Sequence, residues 1–299
     1  MTGDAMGRPH VQPFHHADTG TWSYVVHDPG SRAALVIDPV LDFDAKSGRT
    51  ATTAAQALVE YARTHDLDVQ WLLETHAHAD HLSAVDWLKS THFPRARIGI
   101  GEGIRAVQAT FGPLFDLPGF AADGSQFDRL FADGDRFALG GLEVHVIAVP
   151  GHTSDSNAYL VGDALFPGDS MFLPDSGTAR CDFPGGDAAT LYRSIRRLFE
   201  LPGETRVFVC HDYGKPAAEG SGGREPRCET TIDAQKRDNI HVREGIDEAT
   251  FVEMRKRRDA TLAIPALLLP AVQVNIRAGA LPEPDGNGVR YLRIPLDRF

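Results

Sequence analysis

Short apolar runs bounded by turn residues alternate along this chain with stretches in which apolar residues recur at helical spacing. Apolar runs of about four to eight residues predict strands, whereas the helical spacing predicts amphipathic helices. Strands are predicted for residues 21–27, 33–37, 69–73, 98–100, 142–149, 158–161, 164–166 and 206–209. Helices are predicted for residues 52–65, 82–90, 188–199 and 248–262.

The alternation of strands and helices predicts a layered α/β fold in which helices cover sheets. Strand pairs near both ends of the pattern indicate that two sheets are involved. We expect an N-terminal tail at residues 1–13, a main domain at residues 14–264, and a C-terminal extension at residues 265–299 that packs on the same domain. Proline and glycine interrupt this extension, and no regular helix or strand is predicted within it.

Composition narrows the class of protein. The chain has 299 residues, with 42% hydrophobic and 24% charged residues, as is ordinary for a globular protein. Its net charge of -11 argues against binding to nucleic acid or to an anionic membrane, because both require a basic face. No apolar run reaches the roughly 20 residues that span a bilayer, and no secretory signal is visible, so we expect a cytoplasmic location.

Four potential metal ligands lie within residues 75–81, directly after the apolar run of residues 69–73. They are His76, His78, Asp80 and His81. Imidazole nitrogens and carboxylate oxygens can share one divalent ion, which suits zinc, iron or manganese. This heptapeptide therefore predicts a metal site.

Three further candidate ligands, His152, Asp169 and His211, each follow the end of an apolar strand. Strand carboxyl ends converge on one crevice in α/β sheets, so these side chains are expected to meet the heptapeptide. The seven groups exceed the three or four protein ligands of a single zinc site. They fit a two-metal site in which Asp169 bridges ions about 3.5–4 Å apart. They fit equally a single iron bound by two histidines and one carboxylate, with the remaining groups as outer partners.

These motifs resemble the metallo-β-lactamase superfamily: Thr-His-Ala-His-Ala-Asp-His at residues 75–81, Pro-Gly-His-Thr at residues 150–153, Gly-Asp at residues 168–169, and His211. The resemblance implies an αββα sandwich of two mixed sheets flanked by helices, with the metal at one edge. True β-lactamases commonly carry a cysteine where Asp169 stands. The aspartate there, and Asp80 beside His81, resemble glyoxalase II and the persulfide dioxygenases instead.

Other stretches resemble the persulfide dioxygenases in particular. They are residues 177–183, 190–195, 201–203, 211–213 and 275–279. The resemblance implies one Fe(II) per chain, held by His76, His152 and Asp169, with His78, Asp80, His81 and His211 as hydrogen-bonding partners in the place of a second metal. It also implies oxidation of glutathione persulfide by O2 to sulfite and glutathione. In this interpretation Arg180 and Tyr213 bind the substrate, Arg180 through a bidentate contact with a carboxylate.

The alternative is a zinc-dependent thioester hydrolase of the glyoxalase II type, with one or two zinc ions and a metal-bound hydroxide as nucleophile. A non-enzymatic metal-binding scaffold is a third class. The thiol carrier stays open: glutathione is the family expectation, and coenzyme A or another small thiol is the competitor. The apolar run at residues 264–272 is expected to be either part of the core or the contact of a homodimer.

Two other features carry simpler interpretations. The basic stretch at residues 255–258 predicts a solvated helix face or a subunit contact, because the rest of the chain is acidic. Cys181, Cys210 and Cys228 are too few and too scattered for a disulfide framework, so reduced thiols are expected. Cys181 is predicted to be a small packing or site-lining residue and Cys210 a core residue.

Overall fold

Two six-stranded sheets form the centre of the computed structural model, which describes residues 7–117, 119–215 and 223–298. The strands, in chain order, are β1 (His10–His16), β2 (Thr21–His27), β3 (Ala33–Ile37), β4 (Val40–Asp44), β5 (Arg49–Ala51), β6 (Asp68–Leu73), β7 (Leu82–Ser83), β8 (Arg97–Gly101), β9 (Arg129–Phe131), β10 (Arg136–Leu139), β11 (Leu142–Ala148), β12 (Asn157–Val161), β13 (Ala164–Phe166), β14 (Arg206–Phe208) and β15 (Glu229–Thr231). The helices are α1 (Thr53–Thr64), α2 (Val85–Thr91), α3 (Ile104–Leu114), α4 (Ala188–Leu198), α5 (Ile232–Asp238), α6 (Glu248–Asp259) and α7 (Leu268–Asn275).

Both large sheets are mixed. The first has the strand order β1-β2-β3-β6-β8-β9, with parallel pairs from β3 to β9. The second has the order β10-β11-β12-β13-β14-β15, in which only β13 and β14 pair in parallel. A small third sheet joins β5, β4 and β7. This architecture confirms the predicted α/β class and the αββα sandwich.

Alternation along the strands explains the layers. In β2, the side chains of Tyr24 and Val26 enter the core between the two large sheets, whereas Val25 packs in the core beneath the helices. Leu72 of β6 lies on the helix side, and Leu73 lies between the sheets. Strands that are buried on both faces need apolar residues at every position, which is why they appear as continuous apolar runs in the sequence.

Most predicted elements are confirmed, and the exceptions are short or irregular. The strand predictions 21–27, 33–37 and 164–166 match β2, β3 and β13 to the residue. The helix predicted for residues 82–90 begins instead with the two-residue strand β7, and α2 starts at Val85. Strand β1 pairs with β2 from His10 onward, so the domain starts inside the segment predicted as an N-terminal tail, residues 1–13. Helix α7, which the sequence pattern did not predict, contributes Leu268, Val272 and Val274 to the core.

Backbone contacts join the two sheets at the edge where β6, β11, β13 and β14 end. The amide of Trp22 donates to the Cys210 carbonyl at 2.7 Å, and the amide of Asn157 donates to the Thr75 carbonyl at 2.8 Å. These contacts hold strand ends from both sheets beside one another. In the described part of the chain, no helix has the length and apolar character needed to cross a membrane.

Helix α6 is anchored by an internal ion pair. The Arg255 side chain is only 1% exposed, and its Nη2 lies 2.6 Å from Asp259 Oδ1, one turn along the helix. Its Nη1 also donates to the Thr178 carbonyl at 3.1 Å. The predicted solvated face at residues 255–258 is therefore wrong for Arg255, because Asp259 provides a buried counter-charge.

We expect Arg255→Ala to lower the free energy of unfolding by about 3–5 kcal/mol, because it leaves Asp259 buried without its counter-charge. Arg257→Ala is the matched control on the same helix: Arg257 is 73% exposed and contacts Glu253 only at 3.8 Å. The control should change stability by less than about 0.5 kcal/mol. Urea denaturation of the two variants measures the difference, and equal midpoints would contradict the anchoring role of Arg255.

Candidate metal centre

The heptapeptide at residues 75–81 follows β6 at the edge where the two sheets meet. The side chains of His76, His78 and His81 are almost fully buried there, at 1%, 0% and 1% exposure. Parallel strands end at the same edge of a sheet, so the loop after β6 faces the loops after β11, β13 and β14. The structure therefore brings together all seven candidate ligands that the sequence separates by up to 135 positions, from His76 to His211.

Asp169 stands between two groups of side chains. Its Oδ2 lies 3.6 Å from His152 Nε2 and 4.0 Å from His76 Nε2. Its Oδ1 lies 3.2 Å from His211 Nε2, and that nitrogen lies 3.1 Å from Asp80 Oδ2. One carboxylate thus serves both groups, with one oxygen turned toward each.

The distances of 3.1 and 3.2 Å at His211 Nε2 fit ligand atoms that share one cation, whereas those of 3.6 and 4.0 Å at Asp169 Oδ2 are longer. Two ligand atoms that each lie about 2.1 Å from one ion are separated by roughly 3.0–3.4 Å. Among the described residues, His76 Nε2, His211 Nε2 and Asp169 Oδ1 are buried and make no hydrogen bond, although they lie near one another. Burial also lowers the pKa of His76 well below its usual value, which keeps its imidazole neutral. A neutral imidazole with an unshared nitrogen lone pair is the form that binds a metal.

Hydrogen bonds determine which nitrogen of each histidine faces the centre. His152 Nδ1 lies 2.7 Å from the Arg180 carbonyl, which can only accept, so Nδ1 carries the proton and Nε2 is free. Thr75 Oγ1 donates to Asp38 Oδ2 at 2.8 Å and therefore accepts from His76 Nδ1 at 3.1 Å. Partners of this kind fix the tautomer and the orientation of metal ligands.

Asp38 also orients the loop itself and contacts a second histidine. Its carboxylate accepts a hydrogen bond from the Thr75 amide at 2.7 Å. Its Oδ1 lies 3.0 Å from His78 Nε2, and Glu74 Oε2 lies 3.4 Å from the same nitrogen. Burial opposes protonation of His78, but these two carboxylates outweigh it and raise the pKa of His78 well above its usual value. Sequence reasoning missed Asp38, although it directly follows β3, the same position that singled out Asp169 and His211.

Two more features support the loop. Asn275, at the end of α7, donates through Nδ2 to the carbonyls of His78 and His81, both at 2.8 Å, and accepts from the Ser83 amide at 2.8 Å. Gly168, directly before Asp169, has φ +53°, and a Cβ there would lie 2.7 Å from Thr75 Oγ1. Asn275, the first residue of the stretch 275–279, therefore holds the loop at residues 75–81. Gly168 lets the chain pass close to the same loop.

A cavity of about 590 Å³ opens over the centre and includes His152, Asp169, Asp80 and His211 in its lining. A volume of this size is typical of sites for small molecules. The two predicted substrate residues, Arg180 and Tyr213, lie in the same lining.

Tyr213 and Arg180 differ in how many of their polar groups are free to contact a ligand. Tyr213 is 71% exposed, and its ring lies parallel to that of His211 with the centroids 6.4 Å apart. Arg180 binds the Asp182 carboxylate through Nε and Nη2 at 2.5 and 2.6 Å, and Nη1 donates to the Ala263 carbonyl at 2.6 Å. Three of its five N–H groups are therefore engaged within the protein.

The cysteines near the centre remain thiols. Burial raises the pKa of Cys181 to about 12, and its amide donates to Asp259 at 2.9 Å. Cys210 is buried beside Asp38, and burial raises its pKa well above the usual value. Protonated thiols are poor metal ligands and poor nucleophiles. The structure thus agrees with the expectation that Cys181 and Cys210 are packing residues.

We expect Asp38→Asn to weaken metal binding about 10–100-fold, because an amide cannot accept hydrogen bonds from both Thr75 and His78 through two oxygens. Asp28→Asn is the matched control. Asp28 is also buried and follows the neighbouring strand β2, but its carboxylate binds Gly30, Ser31 and Gly141. Competition against a chelating dye measures the affinity for Zn²⁺ or Fe²⁺, and equal losses in the two variants would refute the orienting role.

Known proteins share this sequence and arrangement. The sequence model of the metallo-β-lactamase superfamily matches residues 16–211. A probable metallo-hydrolase of Burkholderia pseudomallei is 50% identical over 96% of this chain and 99% of its own length. Glyoxylase B2 of Dictyostelium discoideum is 44% identical over 96% of this chain and 97% of its own length. The chain spans 65% of the length of another curated relative, a β-lactamase hydrolase-like protein of Agrobacterium fabrum.

Two further similarities concern persulfide dioxygenases. The human mitochondrial persulfide dioxygenase ETHE1 is 31% identical over 64% of this chain and 64% of its own length. The crystal structure of ETHE1 from Myxococcus xanthus superposes with a TM-score of 0.70 and 28% identity, over 91% of this chain and all of that one. With its αββα sandwich and its buried His/Asp cluster at the edge of two sheets, the chain belongs to the metallo-β-lactamase superfamily and is an enzyme of that superfamily.

Proposed function

We propose that this enzyme is a non-haem Fe(II) persulfide dioxygenase that oxidises a glutathione-type persulfide with O2. The reaction consumes one persulfide, one O2 and one water, and it releases the thiol, hydrogen sulfite and a proton. The terminal sulfur gives four electrons, and O2 accepts them. The observation that carries the proposal is the group of His76, His152 and Asp169, two histidines and one carboxylate beside an open cavity.

This donor set is the one that non-haem Fe(II) oxygenases use. A ferrous ion held by these three residues would supply adjacent positions for O2 and for a persulfide sulfur. The chain provides the rest of the site. His152 packs edge-on against Phe183, with ring centroids 5.5 Å apart, which shields one side of the centre from water. The similarity to ETHE1 proteins supports the same assignment.

The other four candidate ligands support a single ion through their mutual contacts. Asp80 lies 3.1 Å from His211 and 3.4 Å from His81, so its carboxylate is within hydrogen-bonding reach of both imidazoles. His78 is held at Nε2 by two carboxylates that compete with a metal for it. We assign these residues as hydrogen-bonding partners. Tyr213 and the two unengaged N–H groups of Arg180 are proposed as substrate contacts.

A second candidate function, zinc-dependent thioester hydrolysis, is favoured by a specific observation. Among the described residues, His78 Nδ1, His81 Nε2 and His211 Nε2 are buried without hydrogen-bond partners, and they could bind a second ion. Zinc would supply a bound water whose pKa is near about 7, ready to attack a carbonyl. The relative at 50% identity is named a probable metallo-hydrolase.

Metal analysis of two matched variants separates the candidates. His76→Gln and His81→Gln change two buried histidines of the same loop in the same way. We expect about one iron per chain, and O2 uptake with glutathione persulfide, in the unaltered protein. His81→Gln should retain that iron, whereas His76→Gln should lose at least about nine-tenths of it, because only His76 is a ligand. Circular dichroism verifies that both variants fold.

The opposite pattern would overturn the dioxygenase proposal. Two zinc ions in the unaltered protein, loss of one of them in His81→Gln, and thioester hydrolysis without O2 uptake would establish the hydrolase. Loading the metal-free protein separately with Fe²⁺ and Zn²⁺ under nitrogen controls for the metal acquired during expression.

A further inference from the structure

The mouth of the cavity over the metal centre carries large apolar side chains that the protein leaves uncovered. Tyr213 is 71% exposed, Ile240 49% and Leu262 41%. They lie far apart in the sequence, yet all three line the same cavity. Apolar side chains grouped beside a polar centre mark a surface that a ligand covers.

The charged side chains of the cavity are almost all neutralised by neighbours. Asp175 lies 2.8 Å from Lys215, and Arg180 is held by the Asp182 carboxylate. Arg255 is buried against Asp259. Asp80 and Asp169 belong to the metal centre.

Arg258 differs from these residues. It lines the cavity and is exposed, and within residues 7–117, 119–215 and 223–298 its guanidinium makes no hydrogen bond and no ion pair. It lies near the end of α6, four positions before Leu262, so a cation and an exposed apolar side chain stand close together in sequence at the same mouth.

The charge of Arg258 also acts on His241, the neighbour of Ile240 in the cavity lining. His241, which is 7% exposed, has its pKa lowered to about 4, first by burial and then by the charges of Arg255 and Arg258. His241 therefore stays neutral and does not compete with Arg258 for an anion. The mouth thus presents one uncompensated positive charge.

We propose that Arg258 binds a carboxylate of the thiol carrier and thereby selects carboxylate-bearing small thiols as substrates. This inference rests on the proposed function, because it requires a thiol persulfide as the substrate. The sulfur end points to the metal centre, the carrier covers Tyr213, Ile240 and Leu262, and the carboxylate reaches the guanidinium at the mouth. A guanidinium binds a carboxylate through two parallel hydrogen bonds.

The number of unpaired cations in the cavity distinguishes two classes of thiol carrier. Coenzyme A carries three phosphate groups, so a site that binds it needs several unpaired cationic side chains beside them. Among the described residues that line the cavity, Arg258 is the one guanidinium without an internal partner. One unpaired cation fits a carrier whose outer end bears a carboxylate, as in a glutathione-type peptide thiol.

Calorimetric binding of glutathione tests the inference without turnover. Titrations of the metal-loaded protein under nitrogen compare the unaltered chain with Arg258→Ala, Arg258→Lys and the control Arg257→Ala, which removes an exposed charge one position away. We expect Arg258→Ala to weaken binding about tenfold or more, because a charge-assisted contact is lost. Arg258→Lys should lose less, and Arg257→Ala should bind as the unaltered protein does. Glutathione diethyl ester, which lacks both carboxylates, should bind weakly and equally to all four proteins.

Equal glutathione affinity in Arg258→Ala and Arg257→Ala would overturn the inference, as would equal binding of glutathione and its diester to the unaltered protein. Absence of any glutathione binding would overturn it as well. Failure of the proposed function gives a different result, in which glutathione binds with the expected dependence on Arg258 but its persulfide causes no O2 uptake.

Discussion

The buried carboxylate of Asp38 is the contact from which the geometry of the metal centre follows. It accepts hydrogen bonds from the amide and hydroxyl of Thr75, and so it fixes the loop immediately after β6. Because the Thr75 hydroxyl is used as a donor, it must accept from His76, and the Nε2 lone pair of His76 is left facing the centre. The same carboxylate holds His78. An unpaired polar group in a protein interior costs about 1–3 kcal/mol, and a bound cation would offset that cost at the free nitrogens of this site.

Asp169 determines how that cation is shared. Its two oxygens face different groups, His76 and His152 on one side and His211 on the other. This arrangement can hold one ion or two. The number depends on whether a metal or a neighbouring carboxylate binds the remaining imidazole nitrogens. Asp80 contacts both His81 and His211, while Asp38 and Glu74 contact His78. Asp38 and Glu74 raise the pKa of His78 well above its usual value, and a protonated imidazole opposes a second ion. Burial lowers the pKa of His81 to about 4, so that imidazole stays neutral. The number of metals therefore depends on the carboxylates that contact His78.

The fold and the ligands could be predicted from the sequence because both have local signals. A strand buried on both faces needs a continuous apolar run, and a candidate ligand at a strand end follows it closely, as Asp169 and His211 do three residues after β13 and β14. Asp38 has the same signal after β3 but lacks a recognisable motif around it. The three-residue strands β5 and β9 are too short to show a period. The partners of Arg180 and Arg255 were unpredictable for another reason: whether Asp182 or Asp259 neutralises them depends on tertiary burial, which residue spacing does not report.

Helix α6 shows how one basic stretch acquires two roles. Arg255 and Arg258 are three positions apart and both line the cavity, yet only Arg255 has an acidic residue one turn ahead that is buried with it. The ion pair neutralises Arg255, and a hydrogen bond from Arg255 to the Thr178 carbonyl fixes the helix to its neighbour. Since the position of the helix is fixed by this buried pair, Arg258 is held at the mouth of the cavity, where no other residue of the described chain pairs with it. The buried pair thus fixes the helix, while the neighbouring Arg258 remains exposed at the cavity, where the proposed carboxylate contact would form.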